Sequence, residues 1–214
     1  MLLDPALLLS YLAVATVLAL SPGLDALFVL AAGLENSRAG AVAASIGVSA
    51  GTVVHTLAAS VGISTVVAAN PYAFDVLRVA GAVYLAYLGY QAFRRVWQKN
   101  LAAVYSAPDT ALDSTQHLFL RGLLTNLLNP KVILFYIALL PQFVSLELGN
   151  IALQILLLGV LHTLIGLVFL VSVSLTAVHV SERIRAAGFM RWISAFAGFC
   201  YFGLALRLII LEKN

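Results

Sequence analysis

Apolar residues run along this chain in six long stretches, parted by short polar clusters. The stretches cover residues 6–34, 39–69, 70–94, 116–144, 151–178 and 190–211. A helix of about 20 residues crosses the hydrocarbon core of a bilayer, so every stretch is long enough to span it. Between them lie Glu35-Asn36-Ser37-Arg38, a polar stretch over 101–115 with Pro108, Asp109 and Asp113, the short loop 145–150, and Ser181-Glu182-Arg183-Ile184-Arg185. Asn70 and Pro71 open the third stretch as N-cap and first helical residue. The pattern predicts an all-α integral membrane protein with six transmembrane helices.

Two stretches are interrupted. The first holds Leu20-Ser21-Pro22-Gly23-Leu24-Asp25 and the fourth holds Asn126-Leu127-Leu128-Asn129-Pro130-Lys131. Proline removes a helical hydrogen bond. Backbone freed at membrane depth is tolerated only where protein covers it or where it lines a wet cavity. Each break is followed by an ionisable residue, and a charge at that depth costs roughly 2.5–3.5 kcal/mol on insertion scales. One break per half of the chain points to a small-solute site near the bilayer midplane.

Composition agrees. Of 214 residues, 62% are apolar and 10% charged, where a soluble domain carries about 25% charged residues. The solvent is lipid. A net charge of +3 without a Lys/Arg run gives no reason to expect a nucleic-acid partner. The single cysteine, Cys200, excludes an internal disulfide. The start, Met1-Leu2-Leu3-Asp4-Pro5, carries an acid where a signal peptide has a basic region, so the first helix is expected to stay.

The two halves share landmarks in one order. His55 follows Pro22 by 33 residues and His162 follows Pro130 by 32. Both histidines precede Thr-Leu, and the third spans carry Gly81-x-x-Tyr84 and Gly198-x-x-Tyr201. Three spans per half is an odd number, so the repeat must be inverted across the membrane. The expected organisation is a first three-helix repeat over 1–100, a cytoplasmic linker over 101–115 and a second repeat over 116–214, each repeat with a broken first helix. Arg38, Arg94, Arg95, Lys99, Arg183 and Arg185 fall in the loops after spans one, three and five, with Arg121 and Arg191 at helix ends on that side. Only Arg78, Arg207 and Lys213 fall on the other. The positive-inside rule therefore places the linker in the cytoplasm and both termini outside.

Asp25 is the only acid well inside a span. With Ser21 as N-cap it falls in the first turn of a half-helix, where the dipole favours an anion. It is either a proton carrier or amine contact, or a carboxylate held by its own helix end. Lys131 is a cation at a helix N-terminus and needs compensation. It can pair with Asp25 from the facing half-helix, bind a substrate carboxylate, or snorkel. Gly23 and the two prolines shape the breaks; Asn126 and Asn129 satisfy freed backbone groups or bind solute, with capping the preferred role for Asn129. His55 and His162 are interhelical hydrogen-bonders or a proton relay. A hard divalent ion needs several oxygens, so no metal site and no cofactor is expected. Gly47-Val48-Ser49-Ala50-Gly51 matches the G-x-S-x-G of serine hydrolases, but that pattern needs a strand-to-helix elbow. Inside a helix, Ala43, Gly47, Gly51 and His55 at spacings of four form a close-packing face instead.

These residues resemble a known family. The stretch from Ser21 to Leu30, Arg38-Ala39-Gly40, Gly51-x-x-x-His55, and above all Gly122-Leu123-Leu124-Thr125-Asn126-Leu127-Leu128-Asn129-Pro130-Lys131 through Leu140-Pro141-Gln142-Phe143 are similar to the LysE/RhtB amino-acid exporters. The resemblance covers nearly the whole chain. It implies a multi-pass protein of the bacterial inner membrane, not an enzyme, exporting an amino acid or a relative such as homoserine lactone with protons as partner. A homo-oligomer stays open. Two positions depart from the family pattern: Leu24 replaces a second proline at the first break, and Thr52 stands where an acid often precedes the second-span histidine. The rivals to this expectation are a divalent-cation exporter on a similar plan and, more distantly, an intramembrane hydrolase using Ser49 with His162.

Overall fold

The computed structural model describes residues 2–21, 23–69, 72–97 and 113–177, with positions 195, 199 and 203. Among these the chain is helical, without strands. Pro22, Asn70-Pro71, most of the expected linker, His179, Cys200 and nearly all of the sixth stretch lie outside the described residues, and so does the Gly198-x-x-Tyr201 landmark.

Helix α1 (Pro5–Leu20) starts at an Asp4 cap, whose carboxylate accepts from the amides of Ala6 at 2.8 Å and Leu7 at 2.9 Å. Proline at its first position needs no N–H partner. Helix α2 (Leu24–Glu35) follows the first break at an angle of 49°. Helices α3 (Arg38–Ala69) and α4 (Tyr72–Trp97) come next. Helix α5 (Thr115–Leu127) is capped by Ser114 and runs to the second break. Beyond it lie α6 (Pro130–Leu134), a π-helical turn (Phe135–Leu139) and a 3₁₀ turn (Leu140–Phe143), bent by 48° from α5. Helix α7 (Ile151–Ala177) closes the described chain. Both expected breaks are therefore present, with nearly equal bends.

Two helices among the described residues are long and apolar enough to cross a membrane, within Arg38–Val66 and Ile151–Thr176; counting each bent pair as one span makes four. Helix α4 has a span's length, but Asp75, Arg78 and its tyrosines make it less apolar. Large apolar side chains face outward on α3 and α4, among them Leu57, Val61, Val76 and Val83. Lipid, not water, suits such a surface.

Two cores hold the bundle. Tyr11, Val14 and Leu18 of α1 pack on Phe135, Tyr136 and Leu139 and on Ile155 and Leu158 of α7. The Tyr11 hydroxyl is anchored by donating to the Leu158 carbonyl at 2.6 Å, as a buried hydroxyl requires. Phe28, Val29 and Ala32 of α2 pack on Ala44, Val48, Leu118 and Leu170. The expected small-residue face of α3 meets α5. A Cβ on Gly47 would run into the Phe119 backbone, and one on Gly122 would stand 2.5 Å from the Ala44 carbonyl oxygen. This is the close approach that glycine permits between membrane helices. The loop before α7 turns through Gly149 and Asn150, both at positive φ. Buried Gln154 holds it by accepting from the Ser145 amide at 2.9 Å and donating to the carbonyls of Ser145 and Gly149 at 2.8 and 2.6 Å.

Candidate functional site

A cavity of about 60 Å³ lies where the two breaks meet, walled by α3 and α7. That is room for a few waters. Among its lining residues are Gly23, Asp25, Asn126, Asn129, Lys131 and His162, all of them site residues expected from sequence.

Asn129 caps α6: its side chain accepts from the Lys131 amide at 3.0 Å, with Pro130 in the first helical position. At the first break the expected cap is corrected. Ser21 ends α1 instead of starting α2; its N–H donates to the Val17 carbonyl at 2.9 Å. Gly23 is the N-cap of α2, with extended backbone and no side-chain cap. Asp25 does fall in the first turn of α2.

The hydrogen bonds of the two ionisable residues go to other groups. Asp25 Oδ2 accepts from Asn126 Nδ2 at 2.8 Å. Lys131 Nζ donates to the carbonyls of Leu18 at 2.7 Å and Ser21 at 2.8 Å. Of the three expected roles for Lys131, direct contact with Asp25 is not made; the two charges still act on each other through space, while the ammonium reaches the negative end of α1.

Chain chemistry explains why these carbonyls need donors. In an uninterrupted helix the carbonyl of residue 18 pairs with the N–H of residue 22, and that of 126 with the N–H of 130. Both of these positions are proline, which has no N–H. The second half supplies Lys131 to Leu18. The first half supplies His55, whose Nε2 lies 3.4 Å from the Asn126 carbonyl oxygen; that oxygen also accepts from the Asn129 amide at 3.0 Å. Each break is thus completed by a side chain from the other half.

The two expected histidines flank one tyrosine. His55 stacks on Tyr136, with ring centres 5.6 Å apart. His162 stacks on Phe135 at 4.3 Å and meets Tyr136 edge-on at 6.2 Å. The Tyr136 hydroxyl shares a 2.7 Å hydrogen bond with Thr56 Oγ1. Sequence reasoning missed Tyr136, because a tyrosine in an apolar run reads as core. Its signal was a polar tip that had to find a partner at membrane depth.

Three buried atoms on cavity-lining residues are left without a close protein partner, Asp25 Oδ1, Asn126 Oδ1 and His162 Nδ1, although the Asn129 side chain also approaches the Asp25 carboxyl. Asn126 Oδ1 only accepts, and Asp25 Oδ1 accepts whenever the carboxyl is ionised, so in that state Asp25 suits a ligand that brings N–H groups. Among the described residues no three His, Cys, Asp or Glu side chains come close enough to share a metal ion. Ser49 sits mid-helix and donates to the Ser45 carbonyl at 3.0 Å, which is not the geometry of a nucleophile elbow.

Long apolar helices with two broken segments that meet at a small cavity define a multi-pass membrane protein. The chain belongs to the LysE type translocator family, which it matches over residues 16–212. It is 31% identical over 189 residues to the homoserine/homoserine lactone efflux protein of Salmonella typhimurium strain LT2, covering 88% of this chain and 89% of that one. It is 32% identical over 195 residues to the threonine efflux protein of Escherichia coli strain K12, covering 89% and 91%. No solved structure matches the chain significantly. The family and these relatives are translocators and efflux proteins, and neither rival reading finds support among them.

Proposed function

We propose that the protein is a secondary exporter of an amino acid or a closely related amine-bearing metabolite across the bacterial inner membrane, coupled to protons. The observation that carries this reading is the buried Asp25 carboxyl, which lines the cavity between the breaks and whose Oδ1 is left without a close protein partner. A primary ammonium group supplies donors to the ionised carboxyl. The substrate carboxylate then lies toward the start of α2, where Gly23 offers no side-chain cap to compete for the N–H groups. Homoserine, threonine and homoserine lactone, the solutes in the relatives' names, all carry such an amine.

In this reading the chain has six spans as two inverted repeats, with the linker and basic loops cytoplasmic and both termini periplasmic. Asp25 alternates between substrate amine and proton, and His55 and His162 are its candidate proton partners. Alternating access rocks one repeat against the other around the fixed breaks.

The test is export from cells preloaded with labelled homoserine or threonine, beside growth on inhibitory concentrations of each. Wild type is expected to lower intracellular label and restore growth. Asp25→Asn, present at the same membrane level, is expected to do neither. Full export by Asp25→Asn would end the assignment of Asp25, and absence of export of any amine-bearing solute by wild type would end the reading.

A further inference from the structure

The end of α1 presents carbonyl oxygens that its own helix does not satisfy. Pro22 withdraws the N–H that the Leu18 carbonyl would take, and the Ser21 carbonyl lies beyond the last turn. Lys131 Nζ meets both, at 2.7 and 2.8 Å. It does so from the first turn of α6, more than a hundred residues away. A cation there is penalised by its own helix N-terminus and rewarded by the C-terminus of α1. Its stem lies against Gly23, where an added Cβ would stand 3.5 Å from Lys131 Cδ and 3.6 Å from Nζ.

Converging carbonyls at the severed C-terminal end of a half-helix are the oxygen set that holds a coupling sodium ion in transporters with discontinuous helices. Here that set holds an ammonium. We infer that Lys131 is the resident cation of the first break: it fills the place of a free coupling cation, latches the second broken span to the first, and is a positioning residue instead of a ligand for the substrate carboxylate. The inference deepens the exporter reading at the same site. Its consequences are two. Export by the wild type needs no sodium. Removal of the ammonium creates a site for a small cation with N–H groups.

The experiment removes the ammonium and supplies one from solution. Purified Lys131→Ala in detergent is expected to unfold at least about 3 °C below wild type. Propylammonium chloride is expected to raise the midpoint of the variant and leave wild type unmoved. Choline chloride, a cation without N–H donors, is expected to raise neither. In preloaded cells or vesicles, wild-type export is expected to be unchanged when choline replaces sodium. Lys131→Arg is expected to keep export, and Lys131→Ala to regain it only with propylammonium.

Equal effects of propylammonium on both proteins would overturn the inference, as would wild-type stability and export in Lys131→Ala, or export by the wild type that requires sodium. Should Lys131→Ala not accumulate, the double variant Pro22→Ala/Lys131→Ala returns an N–H to the Leu18 carbonyl and is expected to accumulate. Its failure beside a stable Pro22→Ala would also overturn the inference. A wild type that exports nothing defeats the exporter reading alone, because the melting comparison still decides the role of Lys131.

Discussion

Asn126 Nδ2 donates to Asp25 Oδ2 across 2.8 Å, joining an acid in the first broken segment to an amide at the end of α5. The geometry depends on Gly51 of α3: a Cβ there would stand 2.6 Å from Asn126 Oδ1. The amide is therefore wedged between a carboxylate and a glycine.

Removing the amide takes a hydrogen bond from the buried Asp25 carboxyl. A hydrogen bond to a charged group contributes about 1.5–3 kcal/mol, and the unsatisfied partner carries the loss. Asn126→Leu is expected to lower stability by about that amount in thermal unfolding of the purified protein. Gly51→Ala is expected to act in the same direction by displacing Asn126. In an Asp25→Asn background the Asn126→Leu loss is expected to shrink, because the carboxyl that the amide serves is already gone. Equal losses in both backgrounds would contradict this account of the pair.

The breaks were legible in the sequence, and their donors were not. Asn129-Pro130 is an N-cap followed by a first helical residue, a local signature that needs no tertiary knowledge. Pro22-Gly23 announces a break equally well, though it misled on the cap, since serine is the commoner N-cap and here ends the preceding helix. Both prolines also state which carbonyl loses its partner. They do not state which distant side chain replaces it, so Lys131 at Leu18 and His55 at Asn126 had to be found in three dimensions. Spacing alone exposed the Ala43-Gly47-Gly51-His55 face but not α5 as its partner. Nothing local marked Phe135–Leu139 as π-helical or Gln154 as the clamp of the preceding loop.

The Tyr136 hydroxyl and Thr56 Oγ1 form one unit. Thr56 Oγ1 also lies 2.9 Å from the Thr52 carbonyl oxygen, so when Thr56 donates there the tyrosine donates the 2.7 Å bond. Tyr136→Phe and Thr56→Val each break this bond and are each expected to lose about 0.5–1.5 kcal/mol in thermal unfolding. The double variant is expected to be less destabilised than the two losses added, because the second change removes a partner already gone. Strict additivity would show that the two groups act independently.

Asp113 lies before α5, outside the membrane-spanning segments. Its carboxylate accepts from Arg121 at 2.5 Å and faces His117 Nδ1 at 2.9 Å. The Arg121 hydrogen bond foremost, then that of His117, holds the Asp113 carboxyl below the ordinary carboxylate range. A value depressed by folding stabilises the protein fully above the unfolded aspartate pKa of about 3.9. That contribution is lost as pH falls through the lower folded value. Asp113→Asn is therefore expected to unfold slightly earlier than wild type at neutral pH, with the difference fading below pH of about 3.9. High salt is expected to shrink the neutral-pH difference, as it does for exposed pairs. A difference that persists unchanged in acid would assign the effect of Asp113 to something other than its charge.

Glycines on α3 separate packing from propensity. Gly47 faces α5, where an added Cβ would collide with the backbone of Phe119, a group that cannot rotate aside. Gly62 lies on the same helix with nothing within 4 Å of an added Cβ. Both gain the same intrinsic helix preference from alanine, about 0.5–1 kcal/mol in water. Only Gly47 must also push two helices apart, and forced overpacking typically costs about 1–3 kcal/mol. Gly47→Ala is therefore expected to lower the thermal midpoint and Gly62→Ala to leave it level or raise it. Gly122→Ala, which would bring its Cβ within 2.5 Å of the Ala44 carbonyl oxygen, is expected to follow Gly47→Ala. The α3–α5 contact also carries His55 and Asn126 to the breaks, so the two destabilising variants are expected to lose export in proportion to stability. If Gly47→Ala and Gly62→Ala melted alike, the close crossing of α3 and α5 would not be what holds the site together.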